Sequence, residues 1–156
     1  MPYKIAKQDA CHFLTLQVVQ WVDIFSRQRC RDIVIESLNY CTDKKGLDLF
    51  AYVIMTNHVH LLCRAKSEDL SDVIRDLKKH TSVEIIQSIK KEPESRRDWM
   101  LEIFRNEAAK HKRNETFQLW THENHPEEIY STGILPRPAP SSRGGAKCDG
   151  QWVASR

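Results

Sequence analysis

The spacing of apolar residues changes several times along the chain, and each change predicts a new element. His12 to Val19 contains the β-prone run Phe-Leu-Thr-Leu-Gln-Val-Val. Between Cys30 and Cys41 the apolar positions Ile33, Val34, Leu38 and Cys41 fall at helical spacing. Leu47 to Met55 and His58 to Arg64 are two further strand-like runs. Only Thr56-Asn57 separates them, and two-residue connections join antiparallel neighbours. Asp69 or Ser67 is placed to cap a following helix whose core stripe is Leu70, Val73, Ile74, Leu77, Thr81, Ile85 and Ile89. On that helix Arg75, Lys78, Lys79 and Ser82 are expected mostly to face outward. Pro93 interrupts the pattern, and Ser95 opens another helix predicted to turn Trp99, Ile103 and Phe104 inward. Phe117 to Trp120 predicts a fourth strand. This order of strands and helices implies an α+β fold, a ferredoxin-like antiparallel sheet with helices on one face.

The pattern fails beyond about Thr132. Four of the five glycines (Gly133, Gly144, Gly145, Gly150) and three of the six prolines (Pro136, Pro138, Pro140) lie there. Such a segment cannot bury enough apolar surface to offset the entropy of ordering it. The expected organisation is one domain over 1–131 and a disordered tail over 132–156. The tail also carries the whole charge surplus of +3, because Arg137, Arg143, Lys147 and Arg156 face only Asp149. The preceding 131 residues are formally neutral, so any surface for an anionic partner must be local. No apolar run approaches the length of a membrane span, and Met1-Pro-Tyr-Lys-Ile-Ala-Lys lacks the apolar stretch of a signal peptide. The expected compartment is cytoplasmic. Cys11, Cys30, Cys41, Cys63 and Cys148 are odd in number and contain no C-x-x-C spacing, which predicts reduced structural thiols.

Candidate chemistry centres on His58 and His60. Residues i and i+2 of a strand share a face, so the two imidazoles are expected to project side by side, a geometry suited to one divalent metal. Two histidines at the start of a strand also make routine hydrogen bonds, and the spacing alone does not separate these readings. The surrounding sequence does. Tyr52-Val-Ile-Met-Thr-Asn-His-Val-His-Leu-Leu resembles the motif of the HUH single-strand DNA nucleases, and within them the IS200-like and REP-associated tyrosine transposases. The resemblance extends over roughly 10–130. It also rests on Phe13-Leu-Thr-Leu-Gln-Val-Val, Trp21-Val-Asp-Ile-Phe, Leu70-Ser-Asp-Val-Ile-Arg-Asp-Leu-Lys-Lys, Glu94-Ser-Arg-Arg-Asp-Trp-Met, Phe117-Gln-Leu-Trp and Glu123-Asn-His-Pro126.

The resemblance implies an HUH nuclease fold in which His58 and His60 hold Mg²⁺ or Mn²⁺ and Asn57 shapes the turn that presents them. It implies single-stranded, hairpin-forming DNA as partner, a homodimer, and cleavage and rejoining through a phosphotyrosine intermediate. Neutral imidazole suits a borderline metal, and two histidines need phosphate oxygens and water to complete the shell. The family places its nucleophile in a helix carrying Tyr-Ile-x-x-Asn-Pro-Val, about a dozen residues beyond Asn-His-Pro. Here that register holds Pro138-Ala-Pro-Ser-Ser-Arg143, with no tyrosine and with prolines that forbid a helix. The abrupt change at Ser131–Thr132 reads as a frameshift, truncation or fusion, and predicts impaired cleavage. Tyr130 is the nearest remaining tyrosine, either a relocated nucleophile or a boundary residue packing on the last strand.

Arg75 to Arg113 contains eleven Lys/Arg against seven Asp/Glu. A solvated helical face has the same composition. The sharper reading is a DNA groove in which Arg75, Lys78, Lys79, Arg96 and Arg97 meet phosphates. Trp21 and Trp120 are candidates to stack on unpaired bases, with core packing as the alternative. The function expected is therefore an IS200-like DNA transposase with impaired chemistry. The rival is a non-catalytic module, relic or domesticated, that holds structured nucleic acid.

Overall fold

The computed structural model describes residues 4–66, 69–93, 95–111 and 116–129, and the backbone of 153–154. Among the described residues there are five strands, β1 His12–Gln17, β2 Leu47–Ile54, β3 His58–Ala65, β4 Glu127–Glu128 and β5 Val153–Ala154. Three α-helices accompany them there: α1 Gln28–Lys44, α2 Leu70–Lys91 and α3 Arg97–Ala109. The sheet order is β4-β1-β3-β2-β5, with every neighbouring pair antiparallel. β3 therefore lies between β1 and β2, which run parallel to each other, and β1 lies between β3 and β4. Two interleaved split βαβ units of this kind are the ferredoxin-like arrangement.

Alternation along the strands decides which face meets the helices. Leu14 and Leu16 on β1 pair with Leu61 and Val59 on β3, and all four are buried. They join one core with Ile33, Val34 and Leu38 of α1 and Leu70, Ile74, Leu77, Ile85 and Ile89 of α2. The intervening residues Phe13, Thr15, Gln17, His58, His60 and Leu62 pair with one another on the opposite face. In β2 the register shifts between Leu49 and Ala51, where Phe50 is an extra residue. This bulge reverses the alternation, so that Leu47 and Leu49 before it and Ile54 after it all reach the same core.

α1 ends at Lys44, and the chain turns at Gly46, whose φ of 68° lies in the left-handed region that glycine adopts at little steric cost. The Asp69 side chain accepts a hydrogen bond from the Asp72 amide and caps α2. The alternative cap, Ser67, lies outside the described residues. Cys11, Cys30, Cys41 and Cys63 are buried and form no disulfide among the described residues. Burial raises the Cys41 pKa to about 11 and that of Cys63 further, which leaves both unreactive.

Two elements differ from expectation. α3 begins at Arg97 and buries Met100, Phe104 and Ala108, leaving Trp99 51% exposed. The helical period runs through Met100 and Phe104, and Trp99 falls one position outside the buried stripe. Phe117 to Trp120 forms no strand. Only an isolated bridge joins Trp120 to Val18, and the strand paired with β1 is Glu127–Glu128. The segment is instead drawn into the core by burial of Leu119 and Trp120, with the indole N–H donating to Thr81 Oγ1. Of the expected tail over 132–156, only the pairing of Val153 and Ala154 with Tyr52 and Ala51 is described. Tyr130 and Cys148 also lie outside the described residues.

Leu61 and its neighbour Leu62 test this assignment of faces. Leu61→Ala empties a fully buried site and is expected to cost about 2–5 kcal/mol in chemical denaturation. Leu62→Ala, on the far face, is expected to cost clearly less. Equal losses would mean that the register is wrong.

Candidate metal and nucleic-acid site

The β2–β3 turn sets the two histidines on the sheet face opposite α1 and α2. Met55 N–H donates to His58 O across the turn at 2.8 Å, and Thr56 O and Asn57 O accept from the amides of Phe25 and Val18. Val59, between the histidines, is fully buried and fixes the orientation of both. Gln17 pairs with His58, while Thr15 on β1 and Val53 on β2 flank His60. The Phe13 ring stacks on the His60 imidazole at 5.1 Å between centroids.

The Nε2 atoms of His58 and His60 are 3.1 Å apart. Two metal–nitrogen bonds of about 2.1 Å at roughly a right angle place their nitrogens about 3.0 Å apart, so the pair fits adjacent positions on one octahedral ion. Both outer nitrogens are also held. His58 Nδ1 lies 2.7 Å from Asn57 Oδ1, and His60 Nδ1 lies 3.1 Å from Thr15 Oγ1. Metal-binding histidines generally need such a second partner to set the ring and its tautomer. Among the described residues no group of three or more His, Cys, Asp or Glu could hold a metal, so the remaining positions would fall to other oxygens.

The hydrogen bonds make a consistent set. Asn57 Nδ2 donates to Trp21 O at 3.5 Å, which turns Oδ1 of the same amide toward His58. His58 therefore carries its proton on Nδ1 and presents a bare Nε2. Without a metal, His60 donates from Nε2 to His58 and accepts at Nδ1 from the Thr15 hydroxyl. To use both Nε2 atoms as ligands, His60 must move its proton to Nδ1. The hydroxyl of Thr15 serves either tautomer because it both donates and accepts. Burial lowers the pKa of both histidines below 6.5, and the neighbouring His58 lowers His60 further. Both rings are therefore mainly neutral at pH 7, the form in which an imidazole can bind a metal.

A second feature lies beside β1, between α2 and residues 116–124. This groove of about 710 Å³ is lined by Arg75, Lys78, Lys79 and Lys90 and, among the described residues, by no acidic side chain. Lys78 donates to Thr121 O and Asn124 Oδ1, both at 2.7 Å, and burial lowers its pKa to about 8. Arg75 is paired with Asp72 and Asp76, whereas Lys79 has no ion pair among the described residues. Lys90 Nζ lies 4.5 Å from the centroid of Phe117, and both residues line the groove. Arg96 and Arg97, at the start of α3, do not line it. Arg96 binds Asp23 at 2.6 Å and Arg97 donates to Lys90 O at 3.2 Å. Trp120 is buried, while Trp21 is 61% exposed.

Sequence reasoning missed Thr15, Lys90 and Phe117. Thr15 carried a signal in principle, since alternate positions of β1 must lie beside His58 and His60. Its partner could be chosen only once the register was known.

An antiparallel ferredoxin-like sheet with helices packed on one face thus carries two convergent imidazoles on the other. The family model for IS200-like transposases matches residues 11–116, and the chain belongs to that family. No curated protein matches it. A solved structure of a REP-associated tyrosine transposase bound to a REP hairpin is similar at 14% identity with a TM-score of 0.49. The match covers 85% of this chain and 63% of that one, so this chain aligns with less than two thirds of that protein.

Thr15→Val keeps the shape but removes the partner of His60, and is expected to weaken Mn²⁺ binding about 10- to 100-fold by calorimetry. Unchanged affinity would remove Thr15 from the site. With both histidine pKa values below 6.5, Mn²⁺ affinity is expected to stay flat from pH 8 to about 6.5 and to fall below that as protons compete. Over the same acid range the unfolded chain takes up protons first, so the metal-free fold loses stability as pH falls below 6.5. His60→Ala should reduce that acid loss.

Proposed function

We propose that this chain is a DNA transposase of the IS200-like type that binds hairpin-forming single-stranded DNA, with His58 and His60 holding one Mg²⁺ or Mn²⁺ ion. The observation that carries the reading is the convergence of two neutral Nε2 atoms to 3.1 Å, each ring held from behind by Asn57 or Thr15. His58 and His60 would hold the ion, which would supply Lewis-acid polarisation of the phosphodiester and stabilise the departing oxygen. Asn57 and Thr15 orient the rings. Lys79 and Lys90 attract the backbone of the strand into the groove, with Arg75 beside them. The protein works as a homodimer in the cytoplasm.

Cleavage by this family joins a tyrosine oxygen to phosphorus as the bond from phosphorus to the 3′ oxygen breaks. In this chain that step is impaired, because Pro138-Ala-Pro-Ser-Ser-Arg143 stands where the tyrosine helix would be. Tyr130 remains as a substitute nucleophile, and it gains rate only if held in line with the phosphate. The missing tyrosine is also what favours the second reading, a non-catalytic module that retains nucleic-acid binding.

Incubation with hairpin-flanked single-stranded DNA and Mn²⁺, followed by denaturing and native gels, separates the two. An adduct lost in Tyr130→Phe marks an active enzyme. Retarded DNA with no adduct marks the binding module, and no retardation at low salt removes both readings. Within the groove, Lys79→Gln is expected to flatten the salt dependence of binding by about 0.7 in log–log slope. Lys78→Met is expected instead to lower the melting temperature, since it strips two acceptors of their donor.

A further inference from the structure

Six large apolar side chains are exposed among the described residues, and two of them, Trp21 at 61% and Met55 at 40%, flank the turn that presents the histidines. Trp21 belongs to the short loop between β1 and α1, which is fixed at several points. Gln20 Nε2 donates to Glu107 Oε1 near the end of α3 at 2.7 Å, and Arg96 before its start binds Asp23 at 2.6 Å. Phe25 N–H donates to Thr56 O at 3.0 Å, and Asn57 Nδ2 reaches Trp21 O. Val19, Val22, Ile24 and Phe25 are all buried around it. Gln20 and Trp21 nevertheless take left-handed conformations, with φ of 53° and 55°. Neither is glycine, and two successive residues in that region are held only where the surroundings over-determine them. A loop anchored on a buried core thus holds its largest aromatic ring in solvent.

We propose that Trp21 is a stacking platform for an unpaired DNA base next to the phosphate engaged at His58 and His60, with Met55 extending the apolar surface. This rests on the DNA reading given above. A flat, rigid indole presents a face that any base can cover, and stacking is the usual way in which single strands are held without reading their sequence. The Asn57 amide touches Trp21 O and His58 Nδ1 together, so the platform and the metal ligand are positioned by one side chain. The same bond holds the Trp21 backbone beside the site.

The test uses the full chain with Mn²⁺ and a labelled DNA hairpin carrying either a twelve-thymidine arm or an arm of twelve abasic units. The two arms have the same phosphates and differ only in bases. Wild type is expected to bind the thymidine arm more tightly, and Trp21→Ala to weaken that binding roughly 5- to 150-fold while leaving the abasic arm unchanged. Trp21→Phe should recover most of the loss. Trp99→Ala, which removes an indole 51% exposed on α3, should do nothing. Mn²⁺ affinity and melting temperature of Trp21→Ala are expected to match wild type, showing that the loop and the histidines are intact. If Trp21→Ala binds thymidine as wild type does, the platform is wrong and the DNA reading stands. Equal binding of both arms by wild type, which needs no variant, also overturns the platform alone. If wild type retains neither arm, the DNA reading itself has failed.

Discussion

The antiparallel pairing of β3 with β1 and β2 is the constraint on which the rest of this molecule depends. β3 is the central strand, and its alternate residues Val59, Leu61, Cys63 and Ala65 are buried against the helices. A slip of one residue would turn His58 and His60 into the core and expose those four. Burying two imidazoles without partners and losing the apolar contacts are both unfavourable by several kcal/mol. The hydrophobic face therefore fixes the polar one. The bulge at Phe50 serves the same end in β2, because it lets both halves of that strand supply core residues while Val53 still lies opposite His60.

Asn57 connects this sheet face to the loop after β1. Its backbone carbonyl accepts from Val18, its side-chain oxygen orients His58, and its side-chain nitrogen reaches Trp21 O. A turn of two residues thereby joins the histidine pair to a loop anchored on α3. The Thr15 hydroxyl gives His60 the freedom that Asn57 denies His58: one ring is locked in its metal-ready tautomer and the other can adopt it. The rings are mainly neutral at pH 7 for the same reason that they are well placed, since partial burial both fixes them and disfavours their charged forms.

The basic groove, between α2 and the 116–124 segment, does not include the histidines. Its cations are not equivalent. Lys78 ties α2 to Thr121 and Asn124, so its amine is engaged in holding the 116–124 segment beside β1. Lys79, one residue on, faces outward without an ion pair among the described residues. Charge counted along a helix cannot distinguish these roles. The difference comes from which positions point toward a neighbouring segment that is remote in sequence.

The sequence alone determined the three long strands, the helical stripes of α1 and α2 and the pairing of His58 with His60, because period and short-range spacing are local properties of a chain. The same logic offered Asp69 or Ser67 as a cap, of which Asp69 is seen to serve, and read the cysteines as structural thiols, as the burial of Cys11, Cys30, Cys41 and Cys63 bears out. Tertiary structure alone decided the rest. Trp99 and Trp21 are exposed while Trp120 is buried, and the strand paired with β1 falls at Glu127–Glu128 rather than at Phe117–Trp120. The partners of the two histidines, and the separation of Arg96 and Arg97 from Lys79, also depended on it. Each of these outcomes turns on contacts between residues distant in the chain, whose geometry is set by how the helices pack on the sheet and not by any nearby pattern.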